Sequence, residues 1–136
     1  MQGRAEQIAL LRAAIRQRKQ AVFVSAGHER RLCPHSLGRK GREWRVFGWQ
    51  FGGSSSRGLA AGGDWRCIGL RDITSDIALR DGPWHRGHVR HDNAHPPCID
   101  AIDAAVDPAY AAEILDIPPP PEPSPAGKPG GRRRPR

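Results

Sequence analysis

Residues Glu43 to Phe51 constrain this chain more than any other stretch. Trp44 and Val46 alternate onto one side of a strand, and Phe47, Trp49 and Phe51 lie near or on the other. A strand that is apolar on both faces is usually central or enclosed, because each face needs a covering layer. Gly48 in its middle predicts a bend or a bulge.

Shorter strands flank it. Ala21–Ser25 is a β-rich run closed by the turn Ala26-Gly27-His28, and Arg30–Cys33 can pair back antiparallel. Pro34 is expected to end that ladder, since it has no N–H to donate. Ser36 to Gly41 reads as a loop. Gly52 to Asp64 is Gly/Ser-rich and reads as a hairpin loop without the Lys-Ser/Thr ending of a phosphate-binding P-loop. Trp65–Leu70 and Ile73–Leu79 are the last two strands, with Ile73, Ile77 and Leu79 at even spacing. Before them all, Ile8, Leu11 and Ile15 mark an amphipathic helix over residues 5–19. The expected architecture is mainly β with flanking helices: an N-terminal helix, then a small five-stranded curled sheet or barrel.

The rest of the chain divides differently. Trp84 to Pro97 is irregular and rich in histidine. Ile99, Ile102 and Val106 fit a helical stripe, although alternation also fits in part. Asp107-Pro108 resembles an N-cap followed by proline at the first helical position, which starts a second short helix over Pro108–Leu115. Eight of the 13 prolines lie after Ile117. The segment 118–136 also carries Lys128, Arg132, Arg133, Arg134 and Arg136 against Glu122, so it holds +4 of the chain's net +8. Such a Pro/Arg-rich tail is expected to be disordered. The division is therefore a folded domain at 5–82, a His-rich segment with a short helix at 83–117, and a tail at 118–136.

No stretch approaches the ~20 apolar residues of a membrane span. The start runs into a charged amphipathic segment rather than a signal sequence, so a cytoplasmic protein is expected, with no membrane partner. Three widely spaced cysteines, Cys33, Cys67 and Cys98, read as free thiols rather than a disulfide framework.

The order of these features resembles the WYL domain, found in many bacterial regulators. The likeness covers roughly residues 5–82. The family's Arg-x-x-x-Pro pattern is matched by Arg30 to Pro34. Its Trp-Tyr-Leu strand is matched by Trp44-Arg45-Val46, and its fourth strand by Arg66 to Ile73. The eponymous tyrosine is Arg45 here, and two fourth-strand arginines fall on Gly69 and Asp72. A tyrosine expected at the end of the first strand falls on Ser25. The resemblance implies a leading helix and a five-stranded Sm-like (SH3-like) β-barrel. It also implies a ligand-sensing or regulatory module for a small anionic ligand, a nucleotide or a nucleic-acid fragment. The matched positions make Arg30 and Arg66 ligand-binding candidates. Arg45 adds a planar fork suited to phosphate, and Trp49, on the same face as Arg45, an aromatic platform. Arg30, Arg45 and Arg66 are expected to meet at one mouth of the barrel. With a single helix ahead of the barrel, the helix-turn-helix of the usual regulator is not expected in this stretch.

Two other readings compete. One is an Sm-like module that binds nucleic acid without sequence choice, with Arg132, Arg133 and Arg134 neutralising phosphates. The other is a zinc-stabilised interaction protein using His85, His88, His91, His95 and Cys98. Arg86 and Arg90 oppose a cation there, and no Cys-x-x-Cys anchor exists, so no metal and no cofactor is expected. No enzyme motif of the Gly-x-Ser-x-Gly or His-Glu-x-x-His kind occurs. Cys33 lies two residues from His35 but lacks a third orienting group, so no catalysis is expected. Asp100, Asp103 and Asp107 read as a solvated face. Exposed sheet edges are compatible with a homodimer.

Overall fold

The computed structural model describes residues 1–54, 62–87 and 96–106. In chain order they form α1 (Arg4–Gln17), β1 (Gln20–Ser25), β2 (His28–Lys40), β3 (Glu43–Gly53) and β4 (Asp64–Gly69). A 3-10 turn (Leu70–Asp72), β5 (Ala78–Arg80) and β6 (Ala101–Ala105) follow. The strands form one antiparallel sheet in the order β4-β3-β2-β1-β5, with β6 added beside β2. The leading helix and the mainly β class agree with the sequence. The closed five-stranded barrel is corrected on two points. A sixth strand exists, and among the described residues no ladder joins β4 to β5, so the sheet stays open between them. The second helix expected at Pro108–Leu115 and the 118–136 tail lie outside the described residues.

Helix α1 buries Gln7, Leu11, Ala14 and Ile15, an i, i+4, i+7, i+8 stripe. It ends at Arg18, a left-handed residue with φ 56 whose N–H reaches back to the Ala14 carbonyl. A two-residue turn at Ala26 and Gly27, φ 51 and 80, then joins β1 to β2. Paired positive φ values match the twist of a tight hairpin, which explains the glycine.

Strand β2 is the largest departure from the sequence reading. It does not stop at Pro34 but runs on through the expected loop to Lys40. The reason lies in how its two edges are used. β1 pairs with β2 only as far as Leu32, and β6 takes the same edge from Ser36 onward. Pro34 falls in the gap between these ladders, where its missing N–H is least costly. A register shift between Pro34 and Ser36 leaves His35 as the extra residue opposite β3. The irregularity expected at Gly48 is therefore on the partner strand. A Cβ on Gly48 would overlap the Cys33 carbonyl, so this glycine permits the close approach that the bulge requires.

The segment expected as a strand over Ile73–Leu79 follows β1 irregularly. Ile73 bridges Ser25, and the Ser75 hydroxyl accepts the Val24 N–H at 2.7 Å. Only Ala78–Arg80 forms a ladder, with β1. The helical stripe at Ile99–Val106 is also corrected: Ala101–Ala105 is a strand, because the edge of β2 that β1 leaves free needs a hydrogen-bonding partner. Ile99 and Val106 are buried at either end of it, whereas Ile102 is exposed. One core gathers Leu11 and Ile15 of α1, Ala21 and Phe23 of β1, Leu32, Val46 and Ile68 of β2–β4, and Leu70, Ile73, Ile77 and Trp84.

Candidate functional site

Antiparallel partners share a face of the sheet and residues alternate along each strand. Strand β3 therefore carries Val46, Gly48 and Gln50 on one side and Arg45, Phe47, Trp49 and Phe51 on the other. Gln50 pairs with Leu32 and Asp64, and Gly48 with Arg66. Arg30, two residues before Leu32, lies opposite Gly53. Arg30, Gln50, Asp64 and Arg66 consequently occupy one face. Both arginines stand across from glycines of β3, which put no side chain in their way.

Arg30 is 9% exposed. Its Nη1 donates to Gln50 Oε1 at 3.1 Å and its Nη2 to the Ser25 carbonyl at 3.4 Å, and its buried Nε has no hydrogen-bond partner. No carboxylate among the described residues pairs with it. Burial, and then the nearby charge of Arg66, push its pKa down. Arg66 donates through Nη1 to the Trp65 carbonyl at 2.9 Å and pairs with Asp64 Oδ2 at 3.3 Å. Gln50 is fully buried and held in one orientation: Nε2 donates to the carbonyls of Gly52 (2.9 Å) and Ser54 (3.1 Å), which turns Oε1 toward Arg30. Among the described residues, this end of the face holds two cations and one carboxylate, and the carboxylate pairs with Arg66. A buried charge without a counter-ion is costly unless something supplies one.

Arg45 does not join this group. It lies on the opposite face, donates to Glu43 at 2.9 and 3.3 Å and reaches the Cys98 carbonyl at 3.3 Å. Arg71 binds the same Glu43 at 3.1 Å. Arg45 and then Arg71 hold the Glu43 carboxyl below its usual range. Trp49 shares the face of Arg45, as expected from the alternation, but it is 2% exposed and its Nε1 donates to the Gly62 carbonyl at 3.1 Å. It is a core residue with no open ring face for a ligand. Arg132, Arg133 and Arg134 lie outside the described residues.

That second face is an aromatic layer covered by the chain after β5. Phe47 stacks on Trp65 at 4.8 Å, and Trp49 meets Trp65 edge-on at 5.2 Å. His35, pushed out of register by the bulge, is fully buried, stacked on Trp84 at 4.3 Å and edge-on to Trp65 at 4.9 Å. Its Nδ1 lies 2.8 Å from the Cys33 carbonyl and its Nε2 3.2 Å from the Arg86 carbonyl. Both oxygens can only accept, while a neutral ring has one N–H, so only one of the two contacts is a hydrogen bond at a time. Burial nevertheless pushes the pKa of His35 down to about 4.

Cys33 is fully buried, its Sγ accepts the His85 N–H at 3.1 Å, and burial pushes its thiol up to about 12. His35 touches the carbonyl of Cys33 rather than its sulfur, so the two do not form a thiolate–imidazole pair. The free-thiol reading holds for Cys33 and is corrected for the other two, since Cys67 and Cys98 form a disulfide. Their pairing was not legible because 31 residues separate them and the register that aligns β4 had to be known first. The bond withdraws Cys98 from the five zinc donors considered above. His85 packs against Phe51 at 4.8 Å, and the other three histidines of that set lie outside the described residues. Disulfides persist in oxidising surroundings, whereas the sequence pointed to a reducing cytoplasm. Among the described residues no helix is long and apolar enough to cross a membrane.

Comparison of the chain with family models, curated proteins and solved structures finds no match.

Proposed function

We propose that this chain is a ligand-binding module that takes a small anionic group between Arg30 and Arg66. The ligand class is a phosphate-bearing small molecule, a nucleotide or the end of a nucleic-acid fragment, and the role is sensing or regulation. One observation carries the reading: among the described residues Arg30 is buried, has an unpartnered Nε and has no carboxylate of its own, while a second arginine lies close enough to depress its pKa. A bound anion completes this arrangement. The planar donors of Arg30 suit the oxygen pairs of phosphate and carboxylate. Gln50 serves as the orienting residue, because its amide is locked by two carbonyls and turns its oxygen to the guanidinium.

We extend the same proposal to the fold. The helix followed by a four-strand meander, with β5 brought back against β1 after a 3-10 turn, supports an open Sm-like barrel of the kind seen in WYL domains. Returning the last meander strand to the first is the step that rolls a sheet toward a barrel.

The test is binding of inorganic phosphate, a mononucleotide and a short single-stranded oligonucleotide, followed by calorimetry at fixed salt. At least one probe is expected to bind, with Arg30→Gln weakening it by about tenfold or more (~1.4 kcal/mol) and Arg45→Gln leaving it unchanged. Equal weakening by both variants, or none by Arg30→Gln, refutes the site. Oligonucleotide binding that survives Arg30→Gln but is lost on removal of residues 118–136 favours the non-specific module instead.

A further inference from the structure

We infer that the Cys67–Cys98 disulfide is a reversible thiol–disulfide exchange site. This rests on the second face of the sheet and is independent of the anion site. Cys67 is exposed on β4, and Cys98 is half-buried in the turn before β6. A thiolate from solvent can therefore reach the Cys67 sulfur. Cys98, the less exposed of the two, is the leaving sulfur. Its turn is held by the backbone: Arg45 Nη1 donates to the Cys98 carbonyl at 3.3 Å, and Lys40 Nζ donates to the neighbouring Pro97 carbonyl at 3.4 Å.

The third thiol takes no part. Cys33 is fully buried and its pKa is raised, so it supplies neither nucleophile nor scrambling partner. Exchange thus runs only with an external thiol. The thiolate attacks Cys67 Sγ, a new S–S bond forms there, and the Cys67–Cys98 bond breaks with its electron pair leaving on Cys98. A second external thiolate then displaces Cys67, giving two protein thiols and one oxidised reagent disulfide.

Opening the bond leaves the ends in place. Ile99 is buried and Asp100 N–H donates to the Arg39 carbonyl at 2.8 Å. β6 stays paired with β2, Val106 N–H donates to the His35 carbonyl at 2.8 Å, and Asp103 holds Arg12 at 2.9 Å. These contacts do not depend on the disulfide, so the two thiols remain close and the bond re-forms on oxidation.

The experiment uses the full chain in native buffer with reduced glutathione, followed by iodoacetamide and mass mapping. Two alkylated residues per chain, Cys67 and Cys98, are expected, with Cys33 unlabelled, tryptophan fluorescence close to that of the oxidised protein and recovery of the disulfide on adding oxidised glutathione. Mixed disulfide trapped early is expected at Cys67, the exposed partner. Three results overturn the inference: no label until denaturant is added, three labels appearing together, or mixed disulfide trapped at Cys98.

Discussion

Acidification should weaken this fold through one buried side chain. His35 is fully enclosed between Trp65, Trp84 and the β2 backbone, and its pKa falls from 6.5 to about 4. The dominant cause is burial, and the charge of Arg86 adds to it. The sign follows from proton uptake. Above pH 6.5 neither the folded nor the unfolded chain carries the proton, and the fold keeps its full stability. Between pH 6.5 and about 4 the unfolded chain takes up a proton that the folded site refuses, so stability falls as pH falls. Below about 4 both states are charged and this contribution is flat. At ~1.36 kcal/mol per pH unit, the whole interval amounts to about 3 kcal/mol, a large share of a stability of about 5–15 kcal/mol. Urea denaturation followed by tryptophan fluorescence from pH 7 to 4 measures it, with His35→Phe as the comparison. Glu43 and Asp81, whose pKa values are lowered by Arg45 and Lys19, also lose stabilisation in acid. Both proteins share them, so they cancel in the difference. The reasoning fails if the two profiles run parallel, or if the imidazole NMR signals of His35 titrate near 6.5.

Reducing the Cys67–Cys98 bond, or replacing both cysteines by serine, should cost roughly 3–4 kcal/mol from the loop entropy of its 31-residue separation; a change in urea midpoint worth less than about 1 kcal/mol rejects that estimate. Gly48→Ala should destabilise by about 2–3 kcal/mol, because its Cβ meets the Cys33 carbonyl and Leu32, whereas Gly69→Ala finds ordinary contact distances and should be nearly neutral by thermal melting. Arg30→Met should leave stability unchanged or raise it by about 1–2 kcal/mol, since it removes a buried charge that has no counter-ion among the described residues. A loss of several kcal/mol in that variant would show that Arg30 is a structural residue.

The helix, the β1–β2 hairpin and the interior position of β3 between two neighbours were legible in the sequence because each is a local pattern: a 3.6-residue stripe, a glycine turn, a strand apolar on both faces. What misled is equally physical. Pro34 stops a ladder only where an N–H is wanted, and here it sits where β2 exchanges one edge partner for another. Ala101–Ala105 carries no strong preference of its own. Its strand state comes from the free edge of β2, a tertiary fact that no window of sequence contains. The same holds for Ser75, whose hydroxyl stands in for a ladder carbonyl.

The site divides along the same line. Alternation within β3 places Arg45 with Phe47 and Trp49, and that much could be read without a partner strand. Setting Arg30 and Arg66 on the other face requires the register of three strands and the positions of Gly48 and Gly53 opposite them. The matched family positions and the planar guanidinium made all three residues candidates, and charge compensation separates them. Arg45 has Glu43 at 2.9 Å and Arg66 has Asp64 at 3.3 Å, so each is neutralised inside the fold. Among the described residues Arg30 has only a glutamine oxygen and a backbone carbonyl. Gln50, overlooked as a site residue, is the signal that the sequence did contain. It lies between Trp49 and Phe51 and is fully buried, and a buried amide keeps hydrogen-bond partners, here Arg30 and the carbonyls of Gly52 and Ser54.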